Sequence, residues 1–309
     1  MLIHFRWYVF RILLGVALAI AIAFPATAAP QNQPPAIAGI AHVAFQTSNA
    51  AAARHFYHNI LGFDEVFDVP ARGTTAAFFK VNDHQYVEIY PGLRSPQQDR
   101  LVDIAFETTD ARALRRFIAG GGFAPGALHR LAAGSIGFGL TDPSGHRIEF
   151  VQYVPDSLIG RGLGKHLSKR RISTRIIHAG VTVPDRSQED RLYKSLLDFH
   201  VMWYGGRTDQ EVDWVDMRVP QGHDWLEYML NVHNPSPRAL GVMHHFALGV
   251  PSVSSADAAI LKRGYQPRKP QIGRDGKWQL NLFDPDGTRI ELMEPKPVRT
   301  PCCSPMVLN

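Results

Sequence analysis

The chain has 309 residues, 45% of them hydrophobic and 20% charged, with a formal net charge of +5. This composition excludes a disordered or collagen-like chain and leaves room for two domains of common size. The mild basic excess does not point to nucleic acid, because much of it lies in one stretch between residues 157 and 175.

At the N-terminus, Arg6 and Arg11 precede the apolar run ILLGVALAIAIAF (12–24), and PATAAP follows with small residues at Ala26 and Ala28. A basic start, a short apolar core and an A-x-A site describe a secretory signal peptide over 1–29. The run is short for an uncleaved membrane anchor. The mature chain is therefore expected to be exported, periplasmic or secreted, with no stable membrane span after cleavage. QNQPP opens a flexible leader over 30–37.

Next, IAHVAFQT (40–47) reads as a strand and AAARHFYHNILGF (51–63) as a helix stopped by Gly62. FDEVFDV, TAAFFKV and QYVEIY read as three further strands. The order then recurs: LVDIAFET (101–108) as strand, ARALRRFIAGGG (111–122) as helix, then strands ending in HRIEFVQYV. A segment rich in Gly, Arg and Lys, SLIGRGLGKHLSKRRISTR (157–175), follows. It reads as a solvated basic linker over 156–173, with a patch for anionic lipid or ligand as the less favoured reading.

The second half repeats the first. HVAFQT (42–47) matches HAGVTV (178–183) at an offset of 136, as does FYHNILGF (56–63) with LYKSLLDF (192–199). QYVEIYP matches DWLEYML at 139, DIAFET matches HFALGV at 142, and LTDPSGHRIEF (140–150) matches LFDPDGTRIEL (282–292), also at 142. Offsets that grow by three twice are what small loop insertions produce. Two copies of one module, 38–155 and 174–296, each hold two strand–helix–three-strand units, and a tail covers 297–309. Only Cys302 and Cys303 are available for disulfides. Neighbouring cysteines are poorly placed to bridge, so the fold is expected to hold without disulfides.

DPSG and DPDG form the turn before each module's last strand. In each of those strands a carboxylate, Glu149 or Glu291, stands inside an apolar run. An inward, ionised and unpaired Glu is very costly to bury, and a divalent cation removes that cost by binding it. Outward pairing of Glu291 with Arg289 is the alternative.

Four strand–helix–three-strand units, with HxAF-like starts and DPxGxxIE ends, resemble the vicinal oxygen chelate superfamily. That superfamily includes glyoxalase I, extradiol dioxygenases, fosfomycin-resistance enzymes and bleomycin-binding proteins. The resemblance implies an α+β fold in which paired units curl into cup-shaped, mostly antiparallel sheets around one divalent metal ion, with ligands on the first and last strand of each unit. Carried onto this chain, the positions are His178, Glu227, His245 and Glu291 in the second module, and His42, Glu88, Asp103 and Glu149 in the first. Two imidazoles with carboxylates suit Fe, Ni, Zn, Mn or Co. The first module departs from the pattern, with Asp103 where the second has His245, and reads more readily as a degenerate copy kept for support. In some relatives the cup combines different halves, so His42 and Glu88 could instead join His245 and Glu291. His244 points opposite to His245 by strand alternation and reads as structural.

The resemblance implies a metal-dependent, glyoxalase-like enzyme acting on a small-molecule substrate that chelates through vicinal oxygens, with Glu227 or Glu291 as base. An Fe(II) extradiol-type dioxygenase using His178, His245 and Glu291 is the first alternative. Against it, the acid/base His expected near Glu227 and the Tyr before the final Glu are both missing. A non-catalytic small-ligand or antibiotic-binding protein is the second alternative, with Trp203, Trp214, Trp225 and Trp278 as candidate cup walls. Two modules in one chain allow a monomer or a homodimer.

Overall fold

The computed structural model describes residues 33–95, 98–232 and 234–307. The expected signal peptide and most of the leader lie outside the described residues. Among the described residues, no helix is long and apolar enough to cross a membrane.

The first module contributes β1 (Ile37–Thr47), β2 (Asp64–Ala71), β3 (Thr74–Lys80), β4 (Tyr86–Pro91), β5 (Leu101–Thr108), β6 (His129–Arg130), β7 (Ile136–Thr141) and β8 (Arg147–Gln152). They form one sheet in the order β2-β3-β4-β1-β5-β8-β7-β6. The second contributes β9 (Ile176–Thr182), β10 (His200–Gly205), β11 (Trp214–Arg218), β12 (Trp225–Met229), β13 (His245–Gly249), β14 (Gln271–Ile272), β15 (Trp278–Phe283) and β16 (Arg289–Met293), in the corresponding order. Neighbours pair antiparallel except β1 with β4, β5 with β8, β9 with β12 and β13 with β16. This is the expected α+β arrangement of tandem curved sheets. Each sheet draws all its strands from one module, so the cups form within modules and His42 and Glu88 do not complete a site with His245 and Glu291.

Strand alternation divides each sheet into a core face and a cup face. Val43, Phe45, Val87, Ile89, Ile104, Phe106, Ile148 and Phe150 all face the core. Their counterparts Ala179, Val181, Leu226, Tyr228, Phe246, Leu248, Ile290 and Leu292 enter the same continuous core, and Phe45 meets Phe246 at 5.8 Å between ring centroids. The residues between them, including every candidate ligand, fall on the opposite face.

Helices close the core side. Asn49, Asp110, Asp185 and Ser252 cap their N-termini through side-chain oxygens. In both modules the first helix widens into a π-type turn, His55–Ile60 and Arg191–Leu196, which carries the buried Tyr57 and Tyr193.

The basic side chains Arg161, Lys165, Lys169 and Arg170 are exposed, but the segment is also docked: Leu158–Arg161 is a short helix, Ile159 is buried, and the buried Lys80 donates to the carbonyls of Gly162 (2.6 Å) and Lys165 (2.9 Å). A buried ammonium needs such acceptors, and a Gly-rich chain brings its carbonyls close enough to supply them. Contrary to expectation, Cys302 and Cys303 are joined by a disulfide. Because it spans adjacent residues it closes no chain loop, and the fold still has no long-range crosslink among the described residues. The tail around it lies along the edge strand β10, where Val307 donates to the carbonyl of Met202 and Ser304 bonds both backbone groups of Tyr204.

Candidate metal centre

The eight candidate ligands all lie on the four central strands of their sheets. In the second module His178 is on β9, Glu227 on β12, His245 on β13 and Glu291 on β16. Register brings them together: Gly180 of β9 is opposite both Glu227 and His245, and Ala247 is opposite both His178 and Glu291. Nε2 of His178 lies 3.1 Å from Nε2 of His245 and 3.6 Å from Oε2 of Glu291. Nε2 of His245 is 3.2 Å from Oε2 of Glu227 and 4.0 Å from Oε2 of Glu291. One donor atom each from His178, His245 and Glu291 fits within a 4.8 Å cluster.

The protonation chemistry favours a cation at that point. Nδ1 of His245 donates to the carbonyl of Met243 at 2.7 Å, which makes Nε2 the acceptor nitrogen of the ring, with Arg289 Nη2 3.0 Å from it. Burial, reinforced by Arg289, pushes His245 down to about 3, and burial holds His178 well below its ordinary value, so both rings are neutral. Nothing among the described residues bonds Nδ1 of His178, so its tautomer is set by what Nε2 meets.

Two buried acceptors beside the ligands, Oδ1 of Asp216 and Oδ1 of Asn281, have no hydrogen-bond partner among the described residues. Asp216 is the cross-strand neighbour of Glu227, and Asn281 that of Glu291. Burial, followed by repulsion from Glu227, holds Asp216 well above the usual carboxylate range. Acceptors outnumber donors here, and the residues fit a divalent ion of the kind that takes imidazole and carboxylate together.

The cavity above the cluster has a volume of about 420 Å³, within the usual range for a small-molecule site. Trp203, Trp214 and Trp225 line it, as expected. Trp278 instead packs against the main core. Arg289 both donates to Oε1 of Glu291 and lies 3.0 Å from Nε2 of His245, so pairing with Arg289 and facing the cluster are not alternatives for Glu291. His244 faces away, as alternation predicts. Its Nδ1 donates to Asp99 (2.8 Å), and its Nε2 accepts from Thr182 (3.0 Å).

The first module brings the same four positions together and answers their charge differently. His42 has a carboxylate on each ring nitrogen, Glu88 at 3.2 Å and Asp103 at 3.0 Å, which leaves no lone pair for a metal. Burial opposes its charge, but Glu88 with Asp103 and Glu149 outweighs burial and raises it to about 9. Arg72 Nη2 lies 2.6 Å from Asp103 and 3.6 Å from Glu149, and Arg147 donates to Glu149 at 2.7 Å. Three cations of the chain thus meet three carboxylates.

Arg72, Arg147, Asp216 and Asn281 were not among the residues expected at either site. Asp216 and Asn281 could have been found by pairing the strands on paper, which sets them opposite Glu227 and Glu291. Arg72 lies in a hairpin tip with no strand alternation to orient it.

A search of curated proteins finds no match to the chain. Among solved structures, the Mn(II)-bound glyoxalase from Novosphingobium aromaticivorans is similar at 18% identity and a TM-score of 0.65, over 84% of this chain and 83% of that one. The 2,3-dioxygenase LapB from Pseudomonas sp. KL28 is similar at 17% and 0.64, over 86% and 96%. Native homoprotocatechuate 2,3-dioxygenase from Arthrobacter globiformis is similar at 18% and 0.62, over 86% and 82%. At such identities these likenesses show a shared fold. The family model for the Glyoxalase/Bleomycin resistance protein/Dioxygenase superfamily matches residues 39–150 and 175–292, most of the chain and both modules. The chain belongs to that superfamily.

Proposed function

We propose that the second module is a metal-dependent, glyoxalase-like active site that holds one divalent ion through His178, Glu227, His245 and Glu291. The observation that carries this reading is the 3.1 Å approach of two buried, neutral imidazole nitrogens with both carboxylates within 4.0 Å of His245. When bound, the ion supplies Lewis-acid polarisation of two adjacent substrate oxygens. Glu291 is tethered by Arg289 and is the fixed carboxylate. Glu227 has His245 as its one polar partner among the described residues. It is the freer group, and it serves as the base that takes a proton next to a carbonyl. The three indoles favour a substrate with a flat apolar part.

An extradiol-type dioxygenase is the second reading, supported by the grouping of His178, His245 and Glu291 and by the dioxygenase neighbours. The cavity lining supports it less: it contains no Tyr and, besides His178, no His among the described residues. The basic, apolar and small-residue order of residues 1–29 supports export of the chain.

Elemental analysis of the purified protein tests the main reading. Wild type carries about one more transition-metal ion per chain than His178→Ala or His245→Ala, which lose the ion held in the cup. Equal metal in all three, or none in wild type, overturns it. Oxygen uptake with catechols after Fe(II) loading would move the assignment to the dioxygenase, and N-terminal sequencing of protein from the producing cell checks cleavage near residue 29.

A further inference from the structure

The two modules meet through reciprocal contacts. The DPxG turn of each docks on the π-type turn of the other: Tyr57 donates to Oδ2 of Asp284 at 3.2 Å, and Tyr193 to Oδ2 of Asp142 at 3.4 Å. By the internal repeat, Asp142 corresponds to Asp284, His146 to Thr288 and Glu189 to Ala53. One junction is therefore built with an alanine and a threonine, the other with a glutamate and a histidine. The first shows that packing the modules together needs neither ionisable group.

Glu189 is fully buried, Asp142 and His146 nearly so. Ser144 donates to Oε2 of Glu189 at 2.8 Å, but Oε1 has no hydrogen-bond partner among the described residues. Asp142 accepts from the backbone and Nδ1 of His146, at 2.7 and 2.9 Å. Neither carboxylate has a lysine or arginine partner among the described residues. The hydroxyls of Tyr193 and Ser144 and the ring of His146 are the side-chain partners of these two buried acids among the described residues, and one potential ligand atom from each of Asp142, His146 and Glu189 lies within 4.8 Å of the others.

We propose that Asp142, His146 and Glu189 form a second divalent-cation site at the junction of the modules, apart from the cup. Two carboxylates and an imidazole suit a Zn²⁺-class ion. With no substrate cavity assigned to it, the ion acts as a clamp between the DPSG turn of one module and the first helix of the other.

The test uses the His178→Ala/His245→Ala protein, in which the cup is disabled, so the outcome does not depend on the active-site reading. Zn²⁺ alone is titrated by calorimetry and followed by thermal melting. The expected result is about one Zn²⁺ per chain and a rise in melting temperature of about 3 °C or more at saturation. Adding His146→Thr and Glu189→Ala copies the alanine–threonine junction and so is built to fold. It should abolish both signals while keeping a cooperative melt. If Zn²⁺ neither binds nor shifts the melt, or does so equally in both proteins, the proposal fails. The two carboxyls would then be joined by a shared proton.

Discussion

At Gly180 the ring of His245 occupies the space where a side chain would start, since a Cβ built there lies 2.0 Å from Cε1 of the imidazole. The first module has Ala44 at the matching position and the shorter Asp103 in place of His245. The chain thus couples two substitutions: glycine with histidine in one copy, alanine with aspartate in the other. Gly180→Ala should push His245 off the cluster and lower the metal held in the cup at least about tenfold, while Ala44→Gly leaves it unchanged. Elemental analysis of both variants checks this, and full metal retention in Gly180→Ala would mean that His245 is not a ligand. The two glutamates should also separate. Glu291→Gln weakens Mn²⁺ binding more than Glu227→Gln, because it removes the carboxylate held in place by Arg289. Glu227→Gln should lower turnover of any vicinal-oxygen substrate that wild type converts by about 10²-fold or more. Mn²⁺ titration and steady-state rates measure the two effects, and the reverse order of affinities would exchange the roles.

At the scale of elements, the β2–β3 hairpin decides what the first cup can do. Its two-residue turn places Arg72 and Gly73 at positive φ, 53° and 74°, the geometry of a tight primed turn. From there Arg72 reaches back over the cup to Asp103 and Glu149. Arg72→Ala should leave the buried carboxylates short of a cation and lower the melting temperature by a few degrees, an effect moderated because the arginine is partly exposed. His42 adds a pH signature. Its pKa is raised from an ordinary 6.5 to about 9 in the folded state, so its stabilisation is full below about pH 6.5 and is lost as pH rises through about 9. The melting gap between wild type and His42→Asn should narrow across that window, and a constant gap would show that His42 does not bind its proton more tightly on folding.

The four central strands and their inward acids were legible in the sequence because strand alternation and the DPxG turns are local signals. The pairing of units within a module was not, since it depends on which strand edges meet. Arg72 was hidden for a related reason: a long side chain leaving a turn has no period to read. The charges of the basic segment face solvent as their pattern suggests, but the approach of its backbone carbonyls to Lys80 left no signal in that pattern.

For the whole molecule, the question is whether two modules behave as two domains. Their sheets are separate, but Phe45 packs on Phe246, Phe106 meets Phe199 at 5.4 Å between centroids, and both Tyr–Asp junctions cross between modules. A core shared in this way should unfold as one unit. The tryptophans provide a direct readout, because apart from Trp7 all of them, Trp203, Trp214, Trp225 and Trp278, lie in the second module. Phe45→Ala in the first module removes a fully buried ring and should cost about 3–5 kcal/mol. If the core is common, the unfolding midpoint seen by tryptophan fluorescence falls by the same amount as that seen by far-ultraviolet circular dichroism. A fluorescence midpoint that stays in place while the circular dichroism trace splits in two would show that each module carries its own stability.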